Sequence, residues 1–119
     1  MNPADTVSLH PYFKCHEGKL DTVKSMLPLF VEKTGNEEGC LFYDFTMDGD
    51  VLFCREAYVG AEGVLAHLDN VGPLLEEILK ISDLFRVEVH GSEQNLEKLK
   101  EALGPLNPDW YTFQCGVEK

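Results

Sequence analysis

The sequence predicts a single α+β domain in which helices cover one face of an antiparallel sheet. Three observations support this prediction. A chain of 119 residues is long enough for one hydrophobic core but too short for two. Short β-branched and aromatic runs alternate with amphipathic segments. An Asp-Gly turn joins two of those runs, which is a strong hairpin signal.

The amino-terminal third predicts a strand and a helix. Residues 6–16 have strand composition, and Pro11 places them at an edge or a bulge because proline cannot donate to a ladder. From Lys19 to Thr34 the apolar residues form one helical stripe, made of Leu20, Val23, Met26, Leu27, Phe30 and Val31. Pro28 falls on the opposite, solvent face, where we expect a kink.

The remainder of the chain continues the alternation. "CLFYDFTM" and "VLFCREAYV" read as two strands joined by "DGD". A helix is expected from Ala61 to about Asp69, and "NVGPLLEEILKI" predicts a second helix with Pro73 in its first turn. "DLFRVEVHG" predicts a fourth strand. Ser92 then caps a helix that ends at Gly104, and "WYTFQCGV" predicts a fifth strand.

This order of elements, β-α-β-β-α-α-β with an added α-β, predicts a ferredoxin-like β-α-β-β-α-β sandwich. We expect one domain over residues 1–119, with 91–119 as a carboxyl-terminal extension. The strand "VLFCREAYV" carries apolar residues on both of its sides. Because the helices can cover only one face of the sheet, the sequence predicts a homodimer formed sheet on sheet.

Composition limits the classes of partner. Acidic residues outnumber basic ones 21 to 10, a formal charge of -11, which disfavours nucleic acid and anionic membranes. The amino terminus lacks the pattern of a secretory signal and no stretch is long enough to span a bilayer, so we expect a cytoplasmic protein.

The cysteines and glycines give no sign of a bound metal or cofactor. Four isolated cysteines are expected to be small core residues rather than disulfides or metal ligands: Cys15, Cys40, Cys54 and Cys115. No cysteine or histidine spacing suits zinc, and no glycine-rich phosphate loop is present in the sequence. The sequence therefore predicts no metal and no cofactor.

His67 is the first candidate for chemistry. It shares a helix stripe with Val64 and Val71, so its ring should point toward the sheet. A histidine there could accept a proton near neutral pH if a partner fixes its tautomer. The alternative is a partly buried structural histidine that bonds to the backbone or to Glu56.

Glu56 is the second candidate, since a carboxylate that faces helices from a central strand is costly unless it is paired or neutral. Its partner could be His67 or Tyr58 beside a ligand, or a lysine or arginine that serves the fold alone. Arg55 points to the opposite face, where we expect it to pair with Asp44 or Glu88.

Other side chains would complete a cavity between sheet and helices, although plain core packing is an alternative for each. The expected lining is Phe13, Phe30, Tyr43, Cys54 and Leu68. Arg86, Glu88 and His90 alternate on one face of the fourth strand and read as the polar face of an edge strand.

Two stretches separated by one hairpin turn, "EEGCLFYDF" and "REAYVGAEGVLAHL", resemble the sequence blocks of the antibiotic biosynthesis monooxygenase family of dimeric α/β-barrel proteins. "FKCHEGKLDTV" is similar to that family's first strand and helix start, so the resemblance covers about residues 12–80. It implies a ligand between sheet and helices, lined by Glu56, Tyr58 and His67. Tyr58 stands where many active relatives have tryptophan, and Pro11 lies near the asparagine of haem degraders, which disfavours haem degradation.

Two functional hypotheses follow. The first is a cofactor-independent monooxygenase, in which His67 takes a proton from a phenol, quinol or anthrone-like substrate, Tyr58 donates a hydrogen bond and the substrate anion reduces dioxygen. The second is a non-catalytic binding protein for an apolar or amphipathic ligand, such as a quinone, polyketide or fatty-acyl chain. A regulatory module is a third class, but no helix-turn-helix or basic patch supports it.

Overall fold

The computed structural model describes residues 2–119 as a five-stranded sheet with three helices. The elements are β1 (Thr6–Cys15), α1 (Leu20–Thr34), β2 (Cys40–Asp48), β3 (Val51–Val59), α2 (Gly60–Ile78), β4 (Ser82–Gly91), α3 (Glu93–Leu103) and β5 (Asp109–Thr112). Short 3-10 turns occupy Pro3–Asp5 and Gly104–Leu106. The predicted α+β, ferredoxin-like fold class is confirmed.

The strands lie in the order β2-β3-β1-β4-β5. The first four are antiparallel, whereas β5 runs parallel to β4 because α3 carries the chain back across the sheet. The β2-β3 hairpin forms as predicted: Asp48 pairs with Val51, and Gly49 adopts φ 60°, a left-handed conformation that suits glycine.

Pro11 does not lie at an edge, because β1 is the central strand and pairs on both sides. The ladder is irregular around it instead. Pro11 faces Val87 of β4, the β1-β4 register shifts just beyond it, between Tyr12 and Phe13, and the β1-β3 register is interrupted between Leu9 and Tyr12. A bulge does lie near the proline, as one of the two predicted alternatives required, but it is on the β4 side; the missing N–H coincides instead with the gap in the β1-β3 ladder at residues 10 and 11.

The predicted pair of helices after β3 is wrong, since α2 is one continuous helix. Its Pro73 lies inside the helix with an exposed side chain, so the lost backbone bond is on the solvent side. Val64, Val71 and Ile78 are all buried and continue one stripe along the whole length of α2. Packing of that stripe on the sheet outweighs the local helix-breaking signal.

The helices pack on one face of the sheet in two apolar clusters. Buried residues of the first cluster are Val7, Leu9, Tyr58, Ala61, Val64, Val89, Leu96, Leu99 and Leu103. Those of the second are Phe13, Cys15, Val23, Phe30, Leu52, Val71 and Ile78. In α1 the predicted stripe holds except at Val31, which is 46% exposed, and Pro28 is on the solvent face as expected.

The opposite face of the sheet carries aromatic and charged side chains. The rings of Tyr12 and Phe53 lie 4.6 Å apart, and Phe85 beside them is 57% exposed. Arg55 Nε donates to Asp44 Oδ1 over 2.8 Å, which confirms one of the two predicted pairings. We call this the open face, defined by residues Tyr12, Phe53, Phe85, Arg55 and Asp44.

On the same open face, Glu88 accepts from His90 at 2.9 Å and pairs with Arg86. The sequence predicted that their strand, β4, is an edge strand. That prediction is wrong, because β5 pairs with its outer side.

The carboxyl-terminal strand is shorter than predicted and ends at Thr112. Cys115 therefore lies beyond the sheet and is exposed, whereas Cys15 and Cys54 are buried core residues. The prediction that all four cysteines are core residues is wrong for Cys115, because only the first residues of "WYTFQCGV" find a strand partner. Over residues 2–119, no helix has the length and apolar character needed to cross a membrane.

Candidate functional site

Glu56 lies on the helix-covered face of β3, in the middle of the apolar core, and is 5% exposed. Burial raises the pKa of its carboxyl to about 7, against 4.5 in water, because the charged form loses its hydration. Hydrogen bonds from Tyr58 and Cys54 pull that pKa down, and the negative charge of Glu37 pushes it up. The group can therefore exchange a proton near neutral pH.

Tyr58 holds this carboxyl in place. Its hydroxyl donates to Glu56 Oε1 over 2.6 Å, and the two residues share a face because they are two apart on a strand. Tyr58 is fully buried and belongs to the first apolar cluster. The structure places it behind Glu56 rather than on the cavity wall, so it can position Glu56 but is not set to contact a ligand in this arrangement.

His67 faces Glu56 from the third turn of α2, with Nε2 3.6 Å from Glu56 Oε1. On its other side Nδ1 lies 2.9 Å from Glu37 Oε2. A carboxylate that accepts from Nδ1 fixes the tautomer, so Nε2 is left with a lone pair directed toward Glu56. Burial lowers the pKa of His67, although the bond and charge of Glu37 oppose that shift. The neutral ring is therefore favoured at neutral pH.

Glu37 is held in turn by Asn70, one helical turn beyond His67. Asn70 Nδ2 donates to Glu37 Oε2 over 2.7 Å and to the backbone oxygen of Lys33 over 2.9 Å. One amide thus ties α2 both to the end of α1 and to the loop that carries Glu37. We call the series Asn70, Glu37, His67, Glu56 and Tyr58 the relay.

Two glycines bring the Glu37 loop to α2. A Cβ on Gly39 would lie 3.1 Å from the Cα of Gly63, and one on Gly63 would lie 3.0 Å from the Cβ of Tyr58 and 3.1 Å from the oxygen of Gly39. These distances leave no room for side chains at either position. The close approach lets Glu37 reach His67 across 30 residues of sequence.

A narrow cavity of about 70 Å³ lies between sheet and helices and contains the polar atoms of Glu56 and His67 in an otherwise largely apolar wall. All five residues predicted to bind substrate line it: Phe13, Phe30, Tyr43, Cys54 and Leu68. Further lining comes from Leu9, Pro11, Phe45, Val71, Leu75, Ile78, Leu84, Val87, Val89, Leu103, Leu106 and Pro108.

Tyr43 and Cys54 add two further polar groups near the relay. The rings of Tyr43 and His67 lie 5.1 Å apart. Burial raises the pKa of the Tyr43 hydroxyl and of the Cys54 thiol well above their usual ranges, and the charge of Glu56 adds to both shifts. Both groups therefore stay protonated: the Tyr43 hydroxyl donates to Cys54, and the Cys54 thiol donates to Glu56.

Sequence reasoning missed Glu37 and Asn70. Asn70 could have been found, because it is three residues after His67 and such pairs are neighbours on a helix surface. Glu37 carried no signal, since an acidic residue in a "NEEG" turn is usually solvated. Within residues 2–119, no group of three or more His, Cys, Asp or Glu side chains is arranged to hold a metal ion.

Comparison with solved structures places a close relative among the matches. The crystal structure of MupZ from Pseudomonas fluorescens is 35% identical in sequence, with a TM-score of 0.90, and the match covers 96% of this chain and 94% of MupZ. The chain belongs to the MupZ family. Since the match extends over nearly the whole of both chains, it includes the third helix and the fifth strand as well as the ferredoxin-like part.

More distant structures share the fold only. A conserved protein from Methanosarcina mazei has a TM-score of 0.69 at 14% identity, covering 75% of this MupZ-family chain and 94% of its own. A protein from Chloroflexus aurantiacus that is provisionally described as an antibiotic biosynthesis monooxygenase has a TM-score of 0.57 at 18% identity. The match covers 71% of this chain and 89% of the Chloroflexus chain. No protein-family model and no curated protein sequence matches the chain.

Proposed function

We propose that the protein is an enzyme that moves a proton at a small, mostly apolar substrate held in the cavity, and that the reaction is cofactor-independent oxygenation of a phenol, quinol or anthrone-like compound. The observation that carries the proposal is the relay. Two carboxylates flank one buried histidine, and the inner one titrates at about 7 inside an apolar wall.

Glu56 and His67 act as one base. When both are deprotonated, the lone pair of His67 Nε2 and the carboxylate of Glu56 face the cavity together. A substrate proton taken by either group is shared between them, so the pair titrates as a unit. The charge of Glu37 stabilises the imidazolium while His67 holds the proton.

Glu37 also provides a path for the proton to water. A second, shallow pocket of about 210 Å³ is lined by Glu37 together with Val31, Thr34, Gly35, Cys40 and Tyr43. Glu37 thus faces the solvent through this shallow pocket, and on its inner side its carboxylate contacts His67. A proton can pass between cavity and solvent without opening the apolar core.

The oxygenation balances without an added reductant. Proton loss leaves a substrate anion, which transfers electrons to dioxygen. At an anthrone-like methylene, two C–H bonds break, one oxygen atom forms the new carbonyl, and the other leaves as water with the two hydrogens. The substrate supplies all four electrons, and the protein supplies the base and a desolvated site. The fold shared with the Chloroflexus aurantiacus protein is consistent with this chemistry.

The test is oxygen consumption with hydroquinones and anthrones, comparing the unmodified protein with His67→Ala. We expect uptake by the unmodified protein, at least a hundredfold loss in the variant, and partial recovery with added imidazole. His16→Ala is the matched control, since His16 is an exposed histidine that pairs with Asp83 away from the cavity. Circular dichroism of both variants checks the fold.

Two results would contradict the oxygenase reaction. Uptake that is unchanged in His67→Ala would reject the role of the relay. Conversion of substrate at the same rate without oxygen would reject oxygenation while keeping the proton-transfer role.

A binding protein without turnover is the second candidate, and the largely apolar wall of the cavity favours it. Native mass spectrometry of the purified protein separates the two. A constant mass increment of an apolar ligand, together with no oxygen uptake for any compound of the panel, would favour binding alone.

We also propose that the open face pairs with a second copy of the chain. Phe85 exposes 57% of its surface among the rings of Tyr12 and Phe53, and a face of this kind on a sheet usually packs against another layer. A homodimer would leave both cavities beneath their own helices.

A further inference from the structure

A continuous series of aromatic and imidazole rings crosses the open face. The centre of each ring lies between 4.5 and 6.2 Å from the centre of the next. From β5 through β4, β1 and β3 and back to β4, the series is Tyr111, His90, His10, Phe53, Tyr12 and Phe85. We call it the ring series. The two histidines at its middle are the members that gain a charge in mild acid.

The charged side chains beside the ring series pair with one another. Arg55 pairs with Asp44, and Arg86 pairs with Glu88, so that these four charges cancel. The whole chain, in contrast, carries a formal charge of -11. Two copies therefore repel one another least where a neutral surface of this kind lets them meet. Aromatic and arginine side chains are also enriched in the centres of protein interfaces. Both observations favour a second copy as the partner of this face.

His10 and His90 are in direct ring contact, with their centres 4.5 Å apart. Ser8 Oγ lies 2.9 Å from His10 Nε2. Glu88 Oε1 lies 2.9 Å from His90 Nε2. Burial lowers the pKa of His10, the neighbouring His90 lowers it further, and Glu88 opposes both effects. Because Glu88 already pairs with Arg86, one carboxylate faces three cationic groups once both histidines are protonated.

The other titratable side chains around the two histidines do not offset this change. Tyrosine hydroxyls are uncharged in acid, so the two tyrosines of the ring series stay neutral. Arg55 on β3 is already paired with Asp44. Asp109 on β5 shares the face of Tyr111, because the two are two residues apart, but it is exposed and water screens its charge. In acid the surroundings of the histidine pair therefore gain as many as two positive charges.

We propose that the open face is a pH-sensitive interface, through which two copies of the chain pair while His10 and His90 are neutral and separate when these histidines are protonated. This rests on the homodimer proposed above and adds how the pairing is controlled. An imidazolium covered by a second sheet loses its hydration, and two imidazolium rings in contact repel one another. The cavity lies on the other face of the sheet, so separation leaves its lining in place.

Analytical ultracentrifugation at pH 8 and pH 5.5 tests the inference. Acid makes the whole chain less negative, since its isoelectric point is about 4.6, and this general effect favours association. The inference predicts the opposite sign. We expect the dissociation constant of the dimer to rise at least about tenfold from pH 8 to pH 5.5, which corresponds to a change of about one unit in the pKa of one histidine on pairing.

The double variant His10→Phe with His90→Phe keeps a ring at both positions and removes both charges. It should pair at least as tightly at pH 5.5 as at pH 8. His10→Gln with His90→Gln provides a second uncharged form if the phenylalanine form does not fold, as judged by circular dichroism. His16→Gln is the matched control, because His16 pairs with Asp83 and lies outside the ring series. It should weaken in acid as the unmodified protein does.

Three results would count against the inference. A dimer of unchanged or greater affinity at pH 5.5 would overturn it and leave the homodimer standing. Equal weakening in acid of the unmodified protein and the uncharged double variant would also overturn it. A monomer at both pH values would overturn the homodimer together with this inference. None of these measurements involves oxygen uptake, so failure of the proposed oxygenase is recognised separately, from its own assay.

Discussion

His67 Nδ1 lies 2.9 Å from the carboxylate of Glu37, a residue 30 positions earlier in the chain, and both side chains are more than nine-tenths buried, at 4% and 9% exposure. This contact sets the tautomer of the histidine and joins the interior of the protein to its surface. It turns two isolated polar residues of the core, His67 and Glu56, into a connected series.

Glu37→Gln should remove the charge that stabilises protonated His67. Because Glu37 raises the pKa of His67, the variant should lower that pKa further, and proton abstraction should slow at least about tenfold. Nitrogen chemical shifts of the His67 ring, followed over pH, measure the change. Glu38→Gln is the matched control, since Glu38 is the exposed neighbour in the same turn. Equal effects of both variants would show that the charge of the loop matters and not the contact.

Glu56→Gln should change how stability depends on pH. The pKa of Glu56 is about 7 when folded and 4.5 when unfolded, so the folded state binds its proton more tightly. Its contribution is fully present below pH 4.5 and is lost as pH rises through 7, by about 3 kcal/mol in total. Denaturant unfolding at pH 5 and pH 8 should therefore show a smaller alkaline loss in the variant than in the unmodified protein.

The lowered pKa of His67 acts in the opposite sense, since its contribution is lost as pH falls below 6.5, and both proteins retain that residue. Glu76→Gln, at an exposed position on α2, is the control and should follow the unmodified protein. An unchanged difference between pH 5 and pH 8 in Glu56→Gln would mean that Glu56 stays ionised in the folded state.

Tyr58→Phe should move the pH dependence of the reaction upward. The Tyr58 hydroxyl bonds to the Glu56 carboxylate and lowers its pKa, so removal of that bond raises the pKa. Activity that depends on the deprotonated pair rises through about pH 7 in the unmodified protein, and the midpoint should lie at higher pH in the variant. The variant should also lose about 1 to 3 kcal/mol of stability, because a buried acceptor loses its donor.

The rate profile between pH 5 and pH 9 measures this midpoint, with Tyr111→Phe, an exposed tyrosine on β5, as control. A rate that falls through pH 7 instead of rising would assign Glu56 the role of an acid rather than a base.

Phe85→Glu should separate the subunits of the proposed homodimer, because it places a charge in the aromatic part of the open face. Sedimentation at micromolar concentration should give a dimer for the unmodified protein and a 13.4 kDa chain for the variant. Leu65→Glu, on the exposed side of α2, should remain dimeric. A monomeric unmodified protein would reject the pairing and leave the cavity unaffected, since its lining comes from one chain.

The fold could be predicted largely from local patterns. Alternation along β3 put Glu56 and Tyr58 on the same face, the helix stripe turned His67 toward the sheet, and the Asp-Gly turn paired β2 with β3. These features depend on side-chain periods of two residues in strands and 3.6 residues in helices, which can be recognised in any short window of sequence.

Features that depend on competition between distant parts of the chain could not be predicted from such local patterns. The break expected near Pro73 disappeared because the buried stripe of α2 continues past it. Pro11 lies in the centre of the sheet because β1 pairs with β3 on both sides of a short gap at residues 10 and 11 and stays paired with β4 at Pro11 itself.

Composition and periodicity, then, were sufficient for the ferredoxin-like order of elements, the buried faces and the two inner polar residues, since each of these is a local consequence of burying apolar surface. Glu37 became visible as part of the site only after folding, because a loop position has no period and its partners His67 and Asn70 lie 30 and 33 residues further along the chain. The close contact of Gly39 with Gly63, which no window of sequence contains, is what brings the outer carboxylate to the histidine.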